Sequence, residues 1–229
     1  MISPFVGLPV TGFPDAVVGL PAIEEAGRPV IVVLHGLGGR PEPNCRAWRD
    51  ITEAAGYALC LRGDFDAERS GPGDPRYTLA GGWVLRKHLE TALAALRARF
   101  GGGVDVDHPL LAGFSLGAAE VALLAQSDPA RFRRIAVIEG GLDAWVEPTI
   151  APFAARGGER VLFGCGSSWC TPPALAAASR IGNGGASARV VYADVGHRNS
   201  PPLQRAIRSE LGWLVEGDAR WQALASAVP

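Results

Sequence analysis

The chain has 229 residues, 48% of them hydrophobic, and a formal net charge of −1 from 22 basic and 23 acidic side chains. That length suits one α/β domain with a large core, spanning 1–229 as a single unit. The near-neutral charge gives no footprint for nucleic acid or an anionic membrane surface, and no stretch approaches the ~20 apolar residues of a membrane span, so neither partner is expected.

Residues 1–28 are rich in Pro and Gly and lack a clear period, which predicts one or two edge strands or a meandering start. The first residues, Met1 to Pro9, show no basic region followed by an apolar core. No signal peptide is visible, which favours the cytoplasm and leaves a secreted or periplasmic location open. Pro29 to Leu34 reads as a buried strand, followed by His35-Gly36-Leu37-Gly38-Gly39. A helix opens at Pro43 and Asn44, with Trp48, Ile51 and Ala55 on one face, and Gly56 closes it. Tyr57 to Leu61 is the next strand.

Residues 62–82 form a long, glycine-rich, charged loop, of the kind that carries function or moves. From Gly82 to Phe100 an amphipathic helix is predicted, with Leu85, Leu89, Ala92, Leu93 and Leu96 on one stripe. Pro109 to Phe114 is a nearly continuous apolar segment, as expected of a parallel strand buried on both faces. Good helix formers follow from Leu116 to Gln126. Further strands are predicted at Arg134 to Glu139, Arg160 to Phe163 and Ala188 to Ala193. Between them lie an excursion over 142–158 and a helix with Thr171 as N-cap and Pro172 in its first turn. Ser200 and Pro201 open a last helix with Leu203, Ile207, Leu211 and Leu214 in register. Alternating strands and helices predict a doubly wound, mostly parallel sheet flanked by helices, with no large lid.

The four cysteines fit no zinc spacing, and no dinucleotide fingerprint is present, so no metal and no cofactor is expected. Cys45 with Cys60, and Cys165 with Cys170, are the pairs that sequence proximity suggests. Four free thiols in a reduced cytosol are the favoured alternative, since a domain of this size does not require disulfides.

The chemistry concentrates at Gly113-Phe114-Ser115-Leu116-Gly117, where strand, sharp turn and helix follow in order. Two glycines remove the side chains that would clash in such a bend, and the serine hydroxyl stands above the sheet edge. The backbone N–H groups that open the helix can face a developing negative charge. Three candidate groups fall at carboxyl ends of strands, where ligands of open parallel sheets bind: His35 to Leu37, Ser115 and His197.

On these residues, His35-Gly36-Leu37-Gly38-Gly39, Gly113-Phe114-Ser115-Leu116-Gly117 and Gly196-His197 in that order, the chain resembles the α/β-hydrolase superfamily, in particular its small esterase-like members, over roughly residues 29–215. The resemblance implies Ser115 as nucleophile, His197 as general base, and the N–H groups of Leu37 and Leu116 as the oxyanion hole. His35 is read as holding its loop, and His88 and His108 as non-catalytic. It also implies an acid just after the strand at 160–163, where Gly164 to Pro172 holds no carboxylate. Asp143 is the favoured alternative; Glu139, a polar substitute such as Ser167 or Ser168, or no acid at all stay open. Trp83, Phe114, Trp145 and Trp169 are candidates to line an acyl or alcohol pocket, with core packing the competing role for each.

The expected activity is hydrolysis of small-molecule carboxylic esters through an acyl-enzyme. A peptidase or amidase on the same site is one alternative. A non-catalytic ligand-binding protein, prompted by the missing acid, is another. Oligomeric state is not legible from the sequence.

Overall fold

β-branched and aliphatic runs form the strands at the centre of a computed structural model that describes residues 3–222. The chain begins with β1 (Phe5–Leu8), β2 (Ala16–Gly19), β3 (Arg28–Leu34), α1 (Pro41–Ile51), β4 (Tyr57–Cys60), β5 (Asp64–Phe65), β6 (Tyr77–Thr78) and α2 (Gly82–Phe100). It continues through β7 (Val104–Phe114), α3 (Leu116–Ser127), β8 (Arg134–Ile138), α4 (Glu147–Ala155) and β9 (Arg160–Cys165). It ends with α5 (Thr171–Asn183), β10 (Ser187–Tyr192), α6 (Pro201–Ser209) and α7 (Leu211–Val215).

Eight strands form one sheet in the order β1-β2-β4-β3-β7-β8-β9-β10. β2 pairs antiparallel with both β1 and β4, and the other neighbours are parallel. From β3 the chain steps outward to β4, then crosses back to β7 and runs outward to β10. The winding therefore reverses between β3 and β7, which opens a crevice beyond their carboxyl ends. Ser115 follows β7 and His35 follows β3.

The sheet is covered on both faces. Val30, Val32 and Leu34 point to one side, with Leu85, Leu89 and Leu93 of α2, Val121 of α3, Phe153 of α4 and Ala177 of α5. Ile31 and Val33 point to the other, with Trp48 of α1, Ile207 of α6 and Leu214 of α7. Alternation along β3 is the two-residue period of a strand, and burial on both faces makes the run continuously apolar.

Several elements differ from their predicted bounds. α1 starts at Pro41, because Pro needs no N–H partner at the first position of a helix. The long loop contains the small hairpin β5–β6. The excursion over 142–158 contains α4, with Pro152 inside it. The last helix is two, α6 and α7, with Glu210 between them. Cys170, not Thr171, is the N-cap of α5, and the buried Thr171 hydroxyl has no partner among the described residues.

The cysteines are not free thiols: Cys45–Cys60 and Cys165–Cys170 are disulfides, with Cα atoms 5.6 and 5.4 Å apart. The first ties α1 to β4, and the second joins the end of β9 to the start of α5. No helix among the described residues is long and apolar enough to cross a membrane.

Candidate active site

The bend after β7 is tight enough to exclude side chains on both flanks. A Cβ on Gly113 would lie 2.2 Å from the Gly117 carbonyl oxygen, and one on Gly117 would lie 2.3 Å from that of Leu34. Between them Ser115 adopts φ 54° and ψ −116°, a conformation that non-glycine residues rarely hold unless their surroundings impose it. Its N–H donates to the Ile138 carbonyl of β8 at 2.9 Å, which pins the turn to the sheet. α3 begins at the next residue, so the first N–H groups of that helix, Leu116's included, have no intrahelical acceptor.

His197 arrives from the turn after β10, 82 residues further along the chain, with Nε2 3.0 Å from Ser115 Oγ. Its Nδ1 lies 2.8 Å from Oε2 of Glu139, the residue that follows β8. The Glu139 carboxylate is fully buried and held by four donors: the Gly166 N–H, the Ser167 N–H at 2.8 Å, the Ser167 hydroxyl at 2.7 Å and His197. Burial pushes its pKa up, but the Ser167 hydroxyl, the two backbone N–H groups and the imidazole outweigh that, and the net shift is downward. An ionised carboxylate only accepts hydrogen bonds. In the neutral ring the proton therefore sits on Nδ1, and Nε2 carries the lone pair that faces the Ser115 hydroxyl.

Ser115 and His197 are thus brought together, and the carboxylate beside them is Glu139, not the favoured Asp143. Asp143 is the exposed residue of a single turn, Leu142–Ala144, with no hydrogen bond to His197. The reason is local. Glu139 also has φ 54°, so the chain turns directly at the end of β8 and leaves its side chain under the imidazole. A Cβ on Gly140 would lie 2.5 Å from the Ser115 carbonyl oxygen, so this turn packs against the elbow. Ser167 contacts Glu139 as a donor, and Ser168 is exposed.

Leu37 lies in the turn after β3, where a Cβ on Gly36 would be 3.2 Å from Ser115 Cβ. The Leu37 N–H donates to no acceptor among the described residues. His35 holds this turn: it is fully buried, Nδ1 faces the Gly36 carbonyl at 2.8 Å, and Nε2 accepts from the Gly63 N–H at 3.3 Å. Burial lowers its pKa, and the two contacts assign the neutral ring with the proton on Nδ1. His88 stacks on Phe13 with centroids 4.7 Å apart, and His108 is exposed at the far end of the sheet.

Two of the four aromatic candidates flank the imidazole. Phe114 lies 5.0 Å from it, centroid to centroid, and Trp169 stacks on it at 5.9 Å and 25° between planes. Trp169 is 59% exposed and Trp83 72% exposed. Trp145 is fully buried against Phe153 and Phe163, so its role is core packing. Phe114 and Trp169, candidates for lining a pocket, instead bracket the imidazole, and Ser167, a candidate to replace the acid, instead donates to it.

Among the described residues, one group of potential metal ligands clusters within 4.8 Å: Glu139, Cys165 and Cys170. Its two sulfurs are bonded to each other and its carboxylate is occupied by four donors, so these residues as arranged do not form a metal site.

No protein-family model matches the sequence, and no curated protein matches it. Solved structures do match the fold. A carboxylesterase from Mesorhizobium loti superposes with a TM-score of 0.64 at 19% identity, covering 89% of this chain and 98% of that one. The fluorophosphonate-binding serine hydrolase F of Staphylococcus aureus superposes with a TM-score of 0.63 at 11% identity, covering 93% and 97%. A Bacillus cereus carboxylesterase gives 0.56 at 16% identity, covering 84% and 91%. Among the described residues, the eight-stranded, mostly parallel sheet flanked by helices, with no large lid, is the α/β-hydrolase-like fold that these solved structures share.

Proposed function

We propose that the chain is a serine hydrolase that cleaves carboxylic esters through an acyl-enzyme. The observation that carries this reading is the unbroken hydrogen-bond path from Ser115 Oγ to His197 Nε2 and from His197 Nδ1 to the buried Glu139 carboxylate. The esterase and serine hydrolase activities named for the structural neighbours support it.

Serine at its ordinary pKa is a weak nucleophile and needs a base within hydrogen-bond reach. His197 Nε2 takes the Ser115 proton as Oγ bonds to the ester carbonyl carbon. The carbonyl electron pair moves onto oxygen, where the N–H groups of Leu37 and Leu116 receive it. Collapse of that intermediate breaks the bond to the alcohol, which leaves with the proton held by His197. A water then repeats both steps on the acyl-enzyme, releasing the carboxylic acid and restoring the Ser115 hydroxyl. Glu139 keeps the ring in the right tautomer and stabilises the imidazolium formed on the way.

The reading of a non-catalytic binding protein rested on a missing carboxylate, and Glu139 beside His197 removes that ground. The substrate class is a small-molecule ester, met at an open rim where Leu37 and Trp169 are exposed. Two disulfides favour an oxidising compartment over the cytosol. The test is turnover of a matched p-nitrophenyl ester and p-nitroanilide by the wild type and by Ser115→Ala. Ester turnover that exceeds amide turnover and vanishes in the variant supports the proposal; equal ester turnover in both proteins overturns it.

A further inference from the structure

The segment between Cys165 and Cys170 touches every part of the acid–base pair. The Gly166 N–H and both the N–H and hydroxyl of Ser167 donate to Glu139. The Gly166 carbonyl accepts from the N–H groups of Val195 at 2.9 Å and Gly196 at 2.8 Å, the two residues that precede His197. A Cβ on Gly166 would lie 2.3 Å from the Gly196 carbonyl oxygen, so the two turns are in backbone contact. Trp169 stacks on the imidazole itself. The segment is short and held at both ends. It leaves β9 at Cys165 and enters α5 at Cys170, whose N–H closes the turn onto the Ser167 carbonyl at 3.1 Å. Both sulfurs are buried and joined.

We propose that this disulfide-closed loop, Gly166 to Trp169, is the positioning element of the site, with Ser167 orienting Glu139, Trp169 bracing the His197 ring, and the Cys165–Cys170 bond holding both in register. The inference rests on the reading of Ser115, His197 and Glu139 as the catalytic groups. The stem of Glu139 does not by itself fix the carboxylate's direction, because its two methylenes leave three rotatable bonds for donors to set. Here three of its four donors come from this loop. Similarly, His197 is exposed on one side, and the indole limits how far its ring can swing. An aromatic face against the ring also favours the imidazolium that forms when Ser115 is deprotonated. The other disulfide, Cys45–Cys60, ties α1 to β4 and touches none of these groups, which makes it an internal control.

The experiment compares four variants of the full chain: Cys165→Ala/Cys170→Ala, Cys45→Ala/Cys60→Ala, Ser167→Ala and Trp169→Ala, with Trp169→Phe beside the last. Steady-state kcat and KM are measured well below each melting temperature. The far-downfield proton resonance of His197 Nδ1–H reports the bond to Glu139. Removing Ser167's hydroxyl is expected to lower kcat about tenfold, the worth of one hydrogen bond to a charged group. Loss of the Cys165–Cys170 bond is expected to lower it at least as much, with KM within about twofold and the downfield resonance weakened or lost. Trp169→Ala is expected to lower kcat about two- to fivefold, and Trp169→Phe, which keeps a ring, to retain more of it. Cys45→Ala/Cys60→Ala is expected to keep the wild-type kcat and resonance. If Cys165→Ala/Cys170→Ala does not fold, Ser167→Ala and the Trp169 pair decide. Wild-type kcat and an unchanged resonance in Ser167→Ala and Trp169→Ala overturn the proposal while leaving the catalytic assignment intact. Absence of ester turnover in the wild type overturns the catalytic assignment itself.

Discussion

Ser115 and Glu139 stand at the carboxyl ends of the neighbouring parallel strands β7 and β8 and share the same left-handed φ of 54°. Each turns its side chain out of the sheet at the strand's last step, and His197 bridges the two. Non-glycine residues in this region cost roughly 1–3 kcal/mol each, so the surrounding packing must enforce both. The enforcement is visible: Gly113, Gly117 and Gly140 each lie where a Cβ would strike backbone of the same cluster.

Glu139→Gln should lower kcat by about 10³–10⁴, because a neutral amide no longer fixes the tautomer or stabilises the imidazolium. Asp143→Asn should leave kcat within about twofold, since that carboxylate is exposed and away from the ring. Steady-state kinetics of the two variants side by side distinguish the two carboxylates. The reverse pattern would make Asp143 the acid.

One substitution should have opposite signs at two glycines. Gly113→Ala forces a methyl into the Gly117 carbonyl and should destabilise the chain by about 3 kcal/mol. Gly182→Ala, on the exposed face of α5 with open space around it, should stabilise by about 0.5–1 kcal/mol. Urea unfolding of both variants checks the pair.

Stability should fall on mild acidification. Burial lowers the pKa values of His35 and His88 from an ordinary value of 6.5, so the unfolded chain binds more protons than the folded one as pH drops through that value. The loss starts near pH 6.5 and levels off below the depressed folded values. A second loss follows at lower pH, as Glu139, whose folded pKa lies below its ordinary 4.5, becomes protonated. Melting temperatures from pH 8 to pH 4 should show the first decline. A flat profile between pH 7 and pH 5 would contradict it.

His35→Phe should cost about 1–3 kcal/mol, because it leaves the buried Gly63 N–H without its acceptor. It should also lower kcat, since His35 braces the turn that carries Leu37. Denaturant unfolding and kinetics on the same preparation test both effects.

The strands from Pro29 onward, the elbow at Ser115 and the position of His197 were legible because each is a local pattern: an apolar run, a small-residue turn, a histidine after a strand. Glu139 ranks behind Asp143 because sequence alone places it at the end of a strand, and only its backbone torsion brings its carboxylate to the imidazole. In the sequence Trp145 stays open between pocket lining and core packing, since one aromatic in a loop carries no period to reveal what it faces; in the structure it is core. Free thiols, the favoured reading of the four cysteines, are overturned for a related reason. Proximity in sequence permits a bond, but only the approach of α1 to β4, and the tight turn before α5, bring the sulfurs together.

The measurement that bears most directly on the whole account is peptide mapping after treatment with a fluorophosphonate probe. A single stoichiometric adduct on Ser115, absent from the Ser115→Ala protein and slowed in Glu139→Gln, is the predicted result. A folded wild-type protein that takes up no probe, or takes it up elsewhere, would contradict the assignment of Ser115 as an activated nucleophile.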